Sequence, residues 1–269
     1  MVAAVVQMNA TPDVAANLAA VDRLTAEAAD QGAALIALPE AFAFIGPERE
    51  KRGIVEPLPE GGAILAHCQA LARKHQCHLI LGGFHEQSSD PEKSFNTCVH
   101  LDRDGEVISC YRKIHLFDVD LADGTRLMES DRTLPGDTLQ VTPTPFGLLG
   151  LSVCYDLRFP EVYRRLVEQG ATVLTVPSAF TASTGRDHWH VLLRARAIEC
   201  QCYLLAPAQW GHHHRTRTSY GHAMIVDPWG RIVAECGGEG DGVSIATLDP
   251  DVVAEIRRSL PSLTHRRLQ

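Results

Sequence analysis

The chain has 269 residues, 45% of them hydrophobic and 22% charged, with a formal net charge of −8. That content supports a sizeable core, and the acidic balance argues against a nucleic-acid partner, which needs a basic field. No run approaches the roughly 18 apolar residues of a membrane span, and the eight cysteines are dispersed as in a reduced intracellular protein, so a cytoplasmic chain with no membrane partner is expected.

The first residues lack the basic lead and cleavage site of a leader and read as a strand over 2–8. Residues 13–30 are alanine-rich, with Val14, Leu18, Val21 and Leu24 at helical spacing, and 33–38 is a continuous apolar run, as in a strand covered on both faces. A helix over 62–75 precedes a strand over 78–82. Strands over 95–101 and 106–111 flank Asp104-Gly105, a hairpin signal. Residues 114–137, with Gly124, Pro135 and Gly136, show no period and read as a long functional loop. A strand over 148–153, a helix over 161–169 and a strand over 171–176 follow, then a helix over 187–199 and a strand over 202–208. The turn Asp227–Gly230 joins strands over 222–226 and 231–235. A last strand over 243–248 leads to a helix over 250–259, capped by Asp249 with Pro250 in its first turn. About eleven strands with interleaved helices predict one mixed α/β domain over 1–269 with more than one sheet.

Three strand ends carry ionisable groups. Cys154 ends the run 148–153 and opens a turn into a helix; it can be a small buried hydrophobe or a nucleophile whose thiolate the helix N-terminus favours. Glu40 sits among Leu38, Pro39 and Phe42, where desolvation is expected to raise its pKa and suit it as a general base. Lys113 follows the strand 106–111 and offers a fixed charge for an oxyanion. Together they suit acyl transfer, though spacing alone does not bring them together. Arg158, four residues beyond Cys154, can bind a substrate carboxylate or pair with Glu161. His212-His213-His214 reads as an exposed loop whose consecutive side chains cannot face one ion, Cys200 and Cys202 lack a second ligand pair, and His188 and His190 read as packing around Trp189; no metal site is expected.

The segments LPEAF (38–42), YRKIHLFDVD (111–120), LMESDRTLPGD (127–137) and SVCYDLRFPE (152–161) resemble, in order, the signature blocks of the nitrilase (carbon–nitrogen hydrolase) superfamily. The resemblance continues through 177–203 and 219–235 and is greatest to the Nit branch, whose amidases act on deaminated glutathione and related ω-amides. It implies a four-layer α-β-β-α sandwich. It also implies Cys154 as nucleophile, Glu40 as general base, Lys113 as oxyanion stabiliser, Glu129 as the group that positions the lysine, and the Tyr155 N–H as part of the oxyanion hole. Phe180 and Thr181 would line the pocket mouth. The implied reaction is hydrolysis of the amide of a small α-keto ω-amide through a cysteine thioester, with no metal or organic cofactor, in a homodimer or higher homo-oligomer. ω-Amidase action on α-ketoglutaramate-type substrates, nitrile or carbamoyl hydrolysis, and a non-catalytic binding protein on the same fold are the alternatives.

Overall fold

The computed structural model describes residues 1–120 and 126–268. Along the chain lie β1 (Val2–Met8), α1 (Val14–Asp30), β2 (Leu35–Leu38), α2 (Glu48–Lys51), α3 (Ala63–His75), β3 (His78–Gln87), β4 (Ser94–Leu101) and β5 (Val107–Arg112). Next come β6 (Asp118–Asp120), β7 (Arg126–Met128), β8 (Thr133–Leu134), β9 (Val141–Thr144), β10 (Gly147–Leu151), α4 (Pro160–Glu168), β11 (Val173–Thr175), α5 (Ala182–Cys200) and β12 (Tyr203–Ala206). The rest is β13 (Ala208–His214), β14 (Arg217–Tyr220), β15 (Met224–Val226), β16 (Ile232–Glu235), β17 (Gly242–Thr247) and α6 (Pro250–Ser259).

The period of two along a strand builds the layers. Ala3 and Val5 of β1, with Leu35 and Ala37 of β2 and Ile80 of β3, face a core shared with the second sheet. Ala4 and Val6, with Ile36 and Leu38, face the other way, onto Val21 and Leu24 of α1 and Leu65 and Cys68 of α3. The first sheet runs β14-β13-β1-β2-β3-β4-β5, with β17 also on β1 and β8 on β4; the second runs β16-β15-β12-β11-β10-β9. Leu166 of α4 and Trp189 and Leu193 of α5 pack with this second sheet's side chains. The result is the expected four-layer α-β-β-α sandwich. The expected cap holds, with Asp249 accepting from the Asp251 N–H at 2.9 Å, and Asp13 caps α1 in the same way by accepting from the Ala16 N–H at 3.0 Å.

Several expectations are corrected. Seventeen strands are present among the described residues, because several of two to four residues are too short to show a period. The expected loop 114–137 contains β6 paired with β7, and β8 added to β4; Gly124 lies outside the described residues. β3 continues past 82 to Gln87 across an irregularity between Leu81 and Phe84. α5 begins at Ala182, ahead of the expected 187. The supposed exposed loop around His212 is the β13–β14 hairpin, and His213 is buried, with Nδ1 2.8 Å from Ala10 O and Nε2 2.8 Å from Ser219 Oγ. Among the described residues no helix is long and apolar enough to cross a membrane.

Candidate active site

Glu40 follows β2, Lys113 follows β5 and Cys154 follows β10; the sandwich brings these three strand ends together. Lys113 Nζ donates to Glu40 Oε1 at 3.1 Å and to Glu129 Oε2 at 2.8 Å. The Cys154 thiol and the Glu40 carboxylate are close enough that each shifts the other's ionisation. The lysine and Glu40 side chains are only 2% and 6% exposed, so their attraction acts with little screening by water. Glu129, in the turn after β7, also accepts from the Phe117 N–H at 2.7 Å. The four groups singled out in the sequence thus form one cluster.

The backbone around them is held in uncommon shapes. Cys154 has φ 46° and Ala41, beside Glu40, has φ 57°; a non-glycine residue there costs about 1–3 kcal/mol and persists only where its surroundings enforce it. The Cys154 N–H donates to Pro177 O at 3.0 Å, and Glu40 Oε2 accepts from Ala179 N at 2.9 Å. Cys154 opens a single 3-10 turn, Cys154–Arg158, rather than the α-helix itself. Asp156, fully buried, braces that turn. Its carboxylate accepts from Tyr111 OH at 2.8 Å, Val153 N at 2.9 Å and His115 N at 3.1 Å, and lies 2.8 Å from His115 Nδ1. It therefore ties the segment carrying Lys113 to the turn carrying Cys154. Among the described residues nothing accepts from the Tyr155 N–H.

The charge states differ from those expected. Burial alone would raise the Glu40 pKa, but the Lys113 ammonium, the Cys154 thiol, the Ala179 N–H and the Asn96 amide together hold it down at about 2. Burial would likewise discharge Lys113, yet Glu129 and Glu40 keep its pKa above the ordinary lysine value. Burial and the Glu40 charge push the Cys154 thiol well above its ordinary value. The expected raised glutamate and helix-stabilised thiolate are thus replaced by a carboxylate, an ammonium and a neutral thiol.

A cavity of about 550 Å³ opens over Glu40, Lys113 and Cys154, a size suited to a small molecule. Thr181 lines it, and Lys51, Arg126, Arg132 and Arg217 bring positive charge to its wall. Arg132 pairs with Glu92 at 3.0 Å, whereas Arg217, half-buried, has no carboxylate partner among the described residues. Tyr155, Arg158 and Phe180 line a smaller recess on Cys154, which Thr181 shares. The Arg158 guanidinium lies 5.1 Å from the Phe180 ring centre and 5.9 Å from that of Tyr155, with Nη1 3.2 Å from His188 Nδ1. The alternative pairing with Glu161 is not among its contacts.

Two buried groups escaped the sequence reading. Asn96 Nδ2 donates to Glu40 Oε1 at 2.9 Å and to Glu129 Oε1 at 3.0 Å, and Asp156 braces the Cys154 turn. The available signal was weak: a polar residue inside a buried strand, or beside the cysteine, needs a partner, but the sequence does not say which.

The carbon–nitrogen hydrolase family model matches residues 2–258. A human protein named deaminated glutathione amidase is 48% identical over 269 residues, covering 98% of this chain and 81% of that protein. The crystal structure of Saccharomyces cerevisiae Nit3, described as a member of branch 10 of the nitrilase superfamily, is 32% identical with a TM-score of 0.88, over 100% of this chain and 97% of that one. A mutant of the amidase from Nesterenkonia sp. AN1, which shows Michael addition of acrylamide at its active-site cysteine, is 28% identical with a TM-score of 0.80, over 97% of this chain and 98% of that one. With the family match spanning nearly its whole length, this chain belongs to the carbon–nitrogen hydrolase family.

Proposed function

We propose that the protein is an amidase that hydrolyses the terminal amide of a small α-keto ω-amide, deaminated glutathione foremost, through a thioester on Cys154. The carrying observation is the buried contact of thiol, carboxylate and ammonium at the floor of a cavity whose wall bears cations. Because Glu40 rests as a carboxylate and Cys154 as a thiol, the proton passes to Glu40 as sulfur attacks the amide carbon, rather than beforehand. Lys113 and the Tyr155 N–H receive the oxyanion. Protonated Glu40 then delivers its proton to the leaving nitrogen, the C–N bond breaks, and ammonia departs. Glu40 next takes a proton from water, whose oxygen attacks the thioester; the carboxylic acid leaves and the thiol regains its proton. Glu129 and Asn96 hold the lysine and the base in register. Arg217, with no carboxylate partner among the described residues, supports a substrate bearing carboxylates. Arg158, Phe180 and Thr181 shape the space beside the nucleophile.

One hydrolase domain over 1–269 and a homodimer complete this reading. Val191 and Ile198, on one face of α5, and Trp229 are 66%, 47% and 51% exposed, which favours self-association. Eight free cysteines favour a reducing compartment such as the cytoplasm.

Ammonia release from deaminated glutathione, α-ketoglutaramate and a simple nitrile tests the proposal, with mass spectrometry of the quenched enzyme. Deaminated glutathione is expected to turn over fastest and leave an acyl adduct on Cys154, and folded Cys154→Ala is expected to be inactive. Faster turnover of α-ketoglutaramate would overturn the substrate assignment. Full activity of Cys154→Ala would overturn the nucleophile, and no ammonia from any of the three the amidase reading.

A further inference from the structure

Three side chains that this chemistry does not use converge elsewhere: His190 from α5, His222 between β14 and β15, and Glu235 at the end of β16. None lines either cavity that touches Cys154. His190 Nε2 and His222 Nδ1 lie 2.9 and 2.8 Å from the same oxygen, Glu235 Oε1. The second carboxylate oxygen has no partner among the described residues. The imidazole rings meet edge to face, with centres 5.0 Å apart. The side chains of His190, His222 and Glu235 are 31%, 26% and 30% exposed, so an ion can reach them from solvent.

The groups are positioned by more than their mutual contact. His222 has φ 58°, an uncommon state for a residue with a side chain. Its N–H donates to Gly237 O at 3.3 Å and its carbonyl accepts from Trp189 Nε1 at 2.9 Å. The Tyr220 ring lies over it with centres 4.5 Å apart, and a Cβ on Gly238 would stand 3.0 Å from its Nε2. The ring is thus confined on both sides.

We propose that His190, His222 and Glu235 form a binding site for a divalent transition-metal ion of the Zn²⁺ class. Two imidazoles and a carboxylate are a donor set for Zn²⁺, and imidazole disfavours the hard ions Mg²⁺ and Ca²⁺. Zn–N and Zn–O bonds of about 2.0–2.2 Å at tetrahedral angles place neighbouring ligand atoms roughly 3.3–3.6 Å apart. The nitrogen–oxygen separations of 2.8 and 2.9 Å open by roughly half an ångström to admit the ion, and the ligand atoms all lie within 4.8 Å of one another. Three protein ligands leave a position for water. The ion would clamp α5 to the β15–β16 hairpin. It would also bear on Tyr220, whose N–H donates to Phe180 O at 2.9 Å, next to the recess beside Cys154.

The test is Zn²⁺ titration of the metal-free full chain against a chromophoric chelator, with thermal unfolding in parallel. One equivalent is expected to bind and to raise the midpoint of unfolding. His190→Gln, His222→Gln and Glu235→Gln should each weaken binding by at least about tenfold and abolish the rise in midpoint. His212→Gln and Cys154→Ala should leave the titration unchanged, which separates this site from other histidines and from the reactive thiol. The three substitutions lie in different segments, and each variant's metal-free midpoint reports its folding. Undiminished binding in all three, or no uptake by the unsubstituted chain, would overturn the proposal.

Discussion

Asn96 shows how one side chain sets the behaviour of the site. Its single amide nitrogen serves both Glu40 and Glu129. Its oxygen is buried without a partner among the described residues, so the residue acts as a donor. Asn96 is one of the groups that lower the Glu40 pKa. Asn96→Ala should therefore raise that pKa and move the acid limb of the kcat/KM profile to higher pH. The loosened carboxylates should lower kcat about 10–100-fold, with KM for the amide little changed. An unmoved acid limb would mean that Asn96 only fills space. The same proton logic governs Cys154: its thiol is held neutral by burial and by Glu40, so reactivity has to come from coupled proton transfer rather than from a standing thiolate.

Among the elements, β3 has an irregularity that the site requires. Its regular pairing with β4 is interrupted between Leu81 and Phe84. A Cβ on Gly82 would stand 2.2 Å from Pro177 Cβ, and Pro177 O holds the Cys154 N–H. Gly83 has φ 62°, and a Cβ there would stand 2.6 Å from Ala41 N and 2.7 Å from Glu40 Cγ. The strand thus passes Glu40 so closely that only glycine fits. Gly83→Ala should displace Glu40 and cut kcat by about 10²-fold, while strain lowers unfolding stability by about 1–3 kcal/mol. Steady-state kinetics alongside urea unfolding checks this, and activity equal to the unsubstituted protein would refute the close-packing argument. The start of α5 follows similar logic. A Cβ on Gly185 would lie 2.4 Å from Tyr220 Cβ, so a residue of low helix propensity is retained for close approach.

At the scale of the molecule, three histidines make folding sensitive to acid. Burial lowers His85 and His100 to about 3 and His213 to about 4, below the ordinary 6.5. The unfolded chain therefore binds these protons first as pH falls. Stability is full well above about pH 6.5 and is lost progressively as pH falls through 6.5 toward about 3. His100 contributes because its Nε2 already lies 3.0 Å from His78 Nδ1 and its Nδ1 3.0 Å from Thr142 Oγ1. Urea unfolding at pH 7, 6 and 5 should show the decline, and His100→Gln should flatten it; a level profile would contradict the assignment. Much of the fold was legible locally. β2 is covered on both faces and so appears as an unbroken apolar run, β1 reads the same way but for Gln7, and α6 is announced by Asp249 and Pro250. The short strands β6 to β9 were not legible, because their pairing partners rather than their composition define them. Glu40, Lys113 and Cys154 could be picked out at strand ends, and the signature blocks pointed to their family. Their proton states were misread because Lys113 reaches Glu40 across 73 positions, and Asn96, Asp156 and the His190–His222–Glu235 cluster were missed for the same reason. Sequence by itself determined the longer strands and helices, the family and a short set of candidate residues, since periodicity, capping, signature blocks and side-chain type are local. Tertiary structure alone decided which groups meet and which of them hold a proton, since both depend on distance and burial between segments far apart in the chain.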